Sequence, residues 1–120
     1  MLKNSNELTT RDWNRLHNIA EFLGDEWRSV WGRIADAVDQ WHKDPGHAGT
    51  WFMARDLINK DVWPAPMNRL RDRHEGKPSD TIFTETAKDI GYIFKDVLRN
   101  DRLHTYESQD GFRGTQYRRQ

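Results

Sequence analysis

The chain has 120 residues, 19 Lys+Arg against 19 Asp+Glu, and no cysteine. That length points to one domain able to bury a core without staples. The composition excludes disulfides, zinc–thiolate sites and a cysteine nucleophile, and zero net charge gives no overall pull toward nucleic acid. No stretch approaches the roughly 18 apolar residues of a membrane span, and the first residues lack an apolar leader, so a cytoplasmic protein with no membrane association is expected. Residues 1–65 hold 8 basic and 10 acidic side chains, and residues 66–120 hold 11 and 9, so an anion-facing surface would sit in the second half. Six tryptophans are many for this length and are expected mostly as core anchors.

Residues 1–9 read as a flexible N-terminus and 10–120 as a single domain. Thr9 and Thr10 precede a helix in which Trp13, Leu16, Ile19, Ala20 and Leu23 follow helical spacing, with Gly24 as its stop. Asp25 is placed to cap a second helix, in which Trp27, Val30, Trp31, Ile34, Val38 and Trp41 form the strongest amphipathic stripe of the chain. Residues 10–43 thus predict a helical pair. "DPGHAG" at 44–49 breaks the pattern. Thr50 can cap a short helix carrying Trp51, Phe52, Ala54, Leu57 and Ile58. Pro64 and Pro66 bar a long helix after it, and "MNRLRDRH" fits one or two turns. After the "EGKPSD" loop, Thr84 caps a helix whose stripe is Ala87, Ile90, Phe94, Val97 and Leu98. The period then changes. "RLHTYES" reads as a strand, "QDG" as a turn and "FRGTQYRRQ" as the returning strand. The fold class expected is mainly α with a small β-hairpin. The helical pair would pack on a winged-helix-like part over 50–120.

Three basic groups are candidates for nucleic-acid contact. Lys88, Tyr92, Lys95 and Arg99 share one side of the last helix and could follow phosphates or a major groove. Glu85, Asp89 and Asp96 lie on the adjacent strip, so a self-neutralised solvated face is the alternative. Phe112, Arg113, Tyr117, Arg118 and Arg119 would form a cationic wing, unless the aromatics pack inward and the arginines only solubilise the end. Arg69, Arg71, Arg73 and Lys77 form a loop of local charge +2, suited to secondary backbone contacts or to plain solvation. The five histidines form no metal-binding spacing. His42 and His47 flank a Pro-Gly turn without an evident third ligand, and neither metal nor cofactor is expected. No nucleophile elbow, phosphate loop or other catalytic motif is present, so the chain reads as non-enzymatic.

The chain resembles a C-terminal domain of unknown function that follows the motor in phage and mobile-element helicase- or primase-type ATPases. "RDWNRLHNIAEFLGDEW" (11–27), "ARDLI" (54–58), "WP" (63–64), "GKP" (76–78), "TAKDIGYIF" (86–94) and "GFRGTQYRR" (111–119) carry the resemblance. It implies a winged-helix-like, DNA-binding module tied to DNA replication or mobile elements, with DNA or a replication ATPase as partner. It transfers no catalytic residue. The alternative reading is a protein-interaction module or small phage-type regulator that docks on a larger machine.

Overall fold

The computed structural model describes residues 3–4, 9–58, 65–111 and 114–120. Helix α1 (Thr10–Leu23) opens with a capping box. Thr9 Oγ1 accepts from the Asp12 N–H at 3.1 Å, and Asp12 Oδ2 accepts from the Thr9 N–H at 3.0 Å. It stops at Gly24, whose φ of 55° suits glycine alone. A 3-10 turn over Gly24–Glu26 then runs straight into α2 (Trp27–Lys43), with no side-chain cap where Asp25 was expected to supply one. Val30, Ile34 and Val38 form the buried edge of α2.

The predicted helix at 51–59 is shorter than its pattern. Trp51 and Phe52 are extended, and only Ala54–Leu57 (α3) is helical. Tertiary pairing overrides the periodicity. Phe52 exchanges both backbone hydrogen bonds with Tyr117, at 2.8 and 2.7 Å, so the hairpin claims this residue. Ala65–Asn68 (α4) leads into a 3-10 turn at Arg69–His74, matching the expected one or two turns. The Trp63–Pro64 pair lies outside the described residues. Helix α5 (Ser79–Arg99) starts five residues before Thr84, with Pro78 at its N-cap and Asp80 in its first turn.

The hairpin pairs β2 (Tyr106–Gly111) with β3 (Gly114–Arg119) antiparallel, in register from Tyr106↔Arg119 to Gly111↔Gly114. Gln109, Asp110 and Gly111 are therefore strand residues where the sequence read as a turn, and Phe112 and Arg113 lie outside the described residues. Lys3–Asn4 (β1) pairs with β2, adding a two-residue third strand where the sequence read as a loose terminus.

Both α1 and α2 pack against α5, which is the axis of the molecule. The buried apolar residues from Leu16 to Tyr117 form one cluster. Its aromatic centre is Phe52, fully buried, with edge contacts to Phe94 at 6.0 Å and Tyr106 at 6.3 Å between ring centroids. The described tryptophans sit at the margin of the core, with Trp27, Trp31 and Trp41 packed against it, rather than as the fully buried anchors expected. Trp13 is 48% exposed, and Trp27, Trp31, Trp41 and Trp51 are half-buried. An indole carries a polar edge and fits better at the rim, where Trp31 Nε1 donates to Asp96 Oδ2 at 3.1 Å. Ala87 is exposed as well; the buried face of α5 instead includes Thr86 and Asp89.

Asp89 has no solvent exposure and holds three elements together. Arg15 of α1 donates through Nε at 3.0 Å. Arg73 forks onto both oxygens at 3.1 Å, and His74 Nε2 donates at 2.7 Å. Removing this carboxylate would leave two guanidinium groups facing each other. Both keep 20% side-chain exposure, so water can partly replace the lost partner. Asp89→Ala should therefore cost about 3 kcal/mol, the low end for a broken buried pair. Urea unfolding checks this, with exposed Lys88→Ala as a control expected within about 0.5 kcal/mol of wild type.

Candidate functional site

The α5 stripe of Lys88, Tyr92, Lys95 and Arg99 does not face open solvent as a unit, because α1 lies across it. Lys95 Nζ bonds Asp12 Oδ2 at 3.0 Å, and the Arg15 guanidinium sits 5.0 Å above the Tyr92 ring. Arg99 pairs with Asp96 at 3.1 Å and lies 4.5 Å over the Trp13 ring. Lys88 remains 57% exposed and pairs with Glu85 at 3.6 Å. The i, i+3 pairs Glu85–Lys88 and Asp96–Arg99 foreseen as the neutralised alternative are both formed. The expectation of an outward cationic stripe is corrected here: long side chains on a helix that becomes central lie down on their neighbours and find carboxylates there.

The wing is corrected in the same way. Arg118 grips both oxygens of Glu107, its cross-strand partner, at 2.9 and 3.0 Å and covers Trp51 at 4.6 Å. Arg119 is only 17% exposed. It donates to the Tyr106 hydroxyl at 2.7 Å and reaches Asp101 at 3.5 Å and Asp39 at 4.0 Å. Tyr117 is buried against Phe52 and Phe94, and that burial pushes its hydroxyl up to about 12, helped by Asp12 and Asp110. Phe112 and Arg113 lie outside the described residues. Arg118 and Arg119 are thus not presented as free outward cations: Arg118 pairs with the carboxylate directly opposite it, and Arg119 with its cross-strand partner Tyr106 and with Asp101.

Of the loop cations, Arg69 pairs with Glu26 and Arg73 with Asp89, while Arg71 and Lys77 are exposed. His42 and His47 turn away from a shared ligand: each Nδ1 meets a backbone carbonyl at 2.8 Å, of Val38 and Trp41 respectively. His47 also stacks on Trp41 at 3.6 Å. Among the described residues no group of three or more His, Asp or Glu side chains is placed to hold a metal, and no helix is long and apolar enough to cross a membrane.

Besides a recess of about 380 Å³ between α3, α5 and β3, lined in part by Lys88, Tyr92 and Lys95, two further surface recesses stand out. One is a recess of about 270 Å³ between α2 and the end of α5, lined on its apolar side by Trp31, Ala35, Val38, Val97, Leu103 and Tyr106 and on its polar side by Asp39 and residues 100–102 and 104. Leu103 is 87% exposed, the extreme among large apolar side chains of the described residues. Asp39, 69% exposed, and exposed Arg102 stand beside it. The second is a polar cleft between α1 and the 3-10 turn. Sequence reasoning missed the recess because Leu103 sat in a segment read as a strand. Asp101 instead bends the chain, accepting from the Leu103 and His104 N–H groups at 2.9 and 3.1 Å. No known protein family matches this chain, and no curated protein or solved structure is detectably similar to it.

The charged groups that close the fold also set its acid response. Burial works against ionisation of Asp12 and Asp101. Hydrogen bonds outweigh it, from Thr9 and Lys95 to Asp12 and from Tyr106, Leu103 and His104 to Asp101, and hold both carboxyls below the usual 3.8. Burial lowers His42 below 6.5, aided by nearby Arg119. In each case the native state binds fewer protons than the unfolded chain, so the contribution is complete above the unfolded value and lost as pH falls. The melting temperature should decline in two stages, first on acidification below 6.5 and again below 3.8. Asp12→Asn should flatten the second stage in a pH series of thermal melts.

Proposed function

We propose that this chain is a non-enzymatic protein-interaction module that docks on a larger protein through the recess beside Leu103. The observation that carries the reading is the contrast between surfaces. Lys95, Arg99, Arg118 and Arg119 of the stripe and wing are engaged by the chain's own carboxylates, while a large aliphatic side chain stands exposed in a partly apolar hollow. A few well-packed side chains supply most of the energy at protein interfaces, and Trp31 and Tyr106 in this recess are of the types enriched among them. The occupant is an amphipathic helix of the partner. One of its apolar side chains fills the recess, a basic residue meets Asp39, and an acidic residue meets Arg102. The motif order shared with the domains that follow phage and mobile-element motors makes such an ATPase the first candidate partner.

A photo-crosslinker placed at Leu103 would identify the partner, which is then purified for titration. Leu103→Asp and Asp39→Lys should each weaken binding by about tenfold or more, the scale of an interface anchor. Unchanged affinity in both variants overturns the reading.

The nucleic-acid reading predicts a different result. Fluorescence anisotropy with short duplex and single-stranded DNA at two salt concentrations should show no wing-dependent binding, and Arg118→Gln, which leaves Arg119 and its contacts to Tyr106 and Asp101 in place, should leave any residual affinity unchanged. Steeply salt-dependent binding lost in that variant, with its thermal melt unchanged, would restore the wing as a DNA contact.

A further inference from the structure

The polar cleft between α1 and the 3-10 turn has a volume of about 420 Å³, and basic and amide side chains line most of it. Arg11, Asn14, Arg15 and Asn18 follow i, i+3, i+4 and i+7, so α1 turns one continuous donor face to the cleft. Arg73 and Lys77 close the opposite wall. We infer that this cleft binds a phosphomonoester of about nucleotide size, held between Arg11 and Asn14 of α1 and Lys77 of the facing loop.

Three observations support the inference. First, two of the arginines are already oriented. Asp89 anchors Arg15 through Nε and Arg73 through Nε and Nη2, and Arg15 also reaches Glu85 at 2.9 Å. A guanidinium has five N–H donors, so each keeps donors beyond those bonds while its position is fixed. A ligand meeting such groups spends little entropy in ordering them. Second, Arg11 and Lys77 are exposed and form no ion pair among the described residues, unlike the stripe and wing cations. Third, the charge fits a dianion. Four cations face Glu85 on the wall and Asp89 beneath it, which leaves a surplus of two positive charges. A phosphomonoester carries about −1.5 to −2 at neutral pH, whereas a backbone diester carries one charge. Lys95, Arg99, Arg118 and Arg119 are each engaged by carboxylates of the chain and so supply no track of further cations from this cleft, which favours a single terminal phosphate over a polymer backbone.

The test is a two-dimensional amide NMR titration of the whole chain with inorganic phosphate, adenosine 5′-monophosphate and a single-stranded oligonucleotide lacking terminal phosphates. Phosphate and the monophosphate should give saturable shifts in residues 11–18 and in the Asn14 and Asn18 side-chain amides, and adenosine alone should give none. Arg11→Ala and Lys77→Ala, both exposed, should leave the rest of the spectrum in place. Together they should weaken monophosphate binding by about tenfold or more, as expected for two charge-assisted contacts. No saturable shift at these residues overturns the inference. So does binding by the oligonucleotide alone, which would make the cleft a contact for backbone diesters.

Discussion

A single buried carboxylate organises this molecule. Asp89 sits at the middle of the central helix with no access to water, and α1 and the 3-10 turn each bring a cation to it. A charge in that position is tolerable only when paired and fully hydrogen-bonded. Satisfying it fixes where Arg15 and Arg73 lie, and therefore how α1 and the turn approach α5. Once α1 is seated, Lys95 meets Asp12, Arg15 covers Tyr92 and Arg99 covers Trp13.

The same placement decides what the surface offers. A helix with a free outer face could carry a basic stripe to nucleic acid. Here α5 is flanked on both sides, and its cations become struts between helices. The hairpin repeats this economy at its own scale, because Glu107 stands opposite Arg118, and Asp101 with Tyr106 draws in Arg119. Zero net charge is therefore not merely an average over a patchy surface. At the stripe and wing it reflects local pairing. An aliphatic side chain in a partly apolar hollow and a cleft whose cations outnumber its acids stand apart from that pairing.

Phe52 plays for the apolar interior the part that Asp89 plays for the polar one. Its backbone is bonded to Tyr117 and its ring is buried among Phe94, Tyr106 and Tyr117. The segment after the Pro-Gly turn is thereby tied to the hairpin, although more than sixty residues separate them in sequence. This is why a stretch with good helical spacing remains extended until Ala54.

Periodicity and local chemistry in the sequence were enough to specify the two N-terminal helices, their break at Gly24, the short turns around Pro66, the long helix and the closing hairpin. Each rests on contacts within a few residues: a capping box at Thr9, a left-handed glycine, an apolar stripe at helical spacing, alternating strand formers. The pairings Glu85–Lys88 and Asp96–Arg99 were legible for the same reason. Tertiary structure alone decided that Trp51 and Phe52 are extended, that the described tryptophans line the rim, that Asp89 is buried, and that Arg118 and Arg119 face acids. Those outcomes depend on which distant side chain occupies the space opposite. Helical period places a residue on a face, but only packing reveals what that face meets.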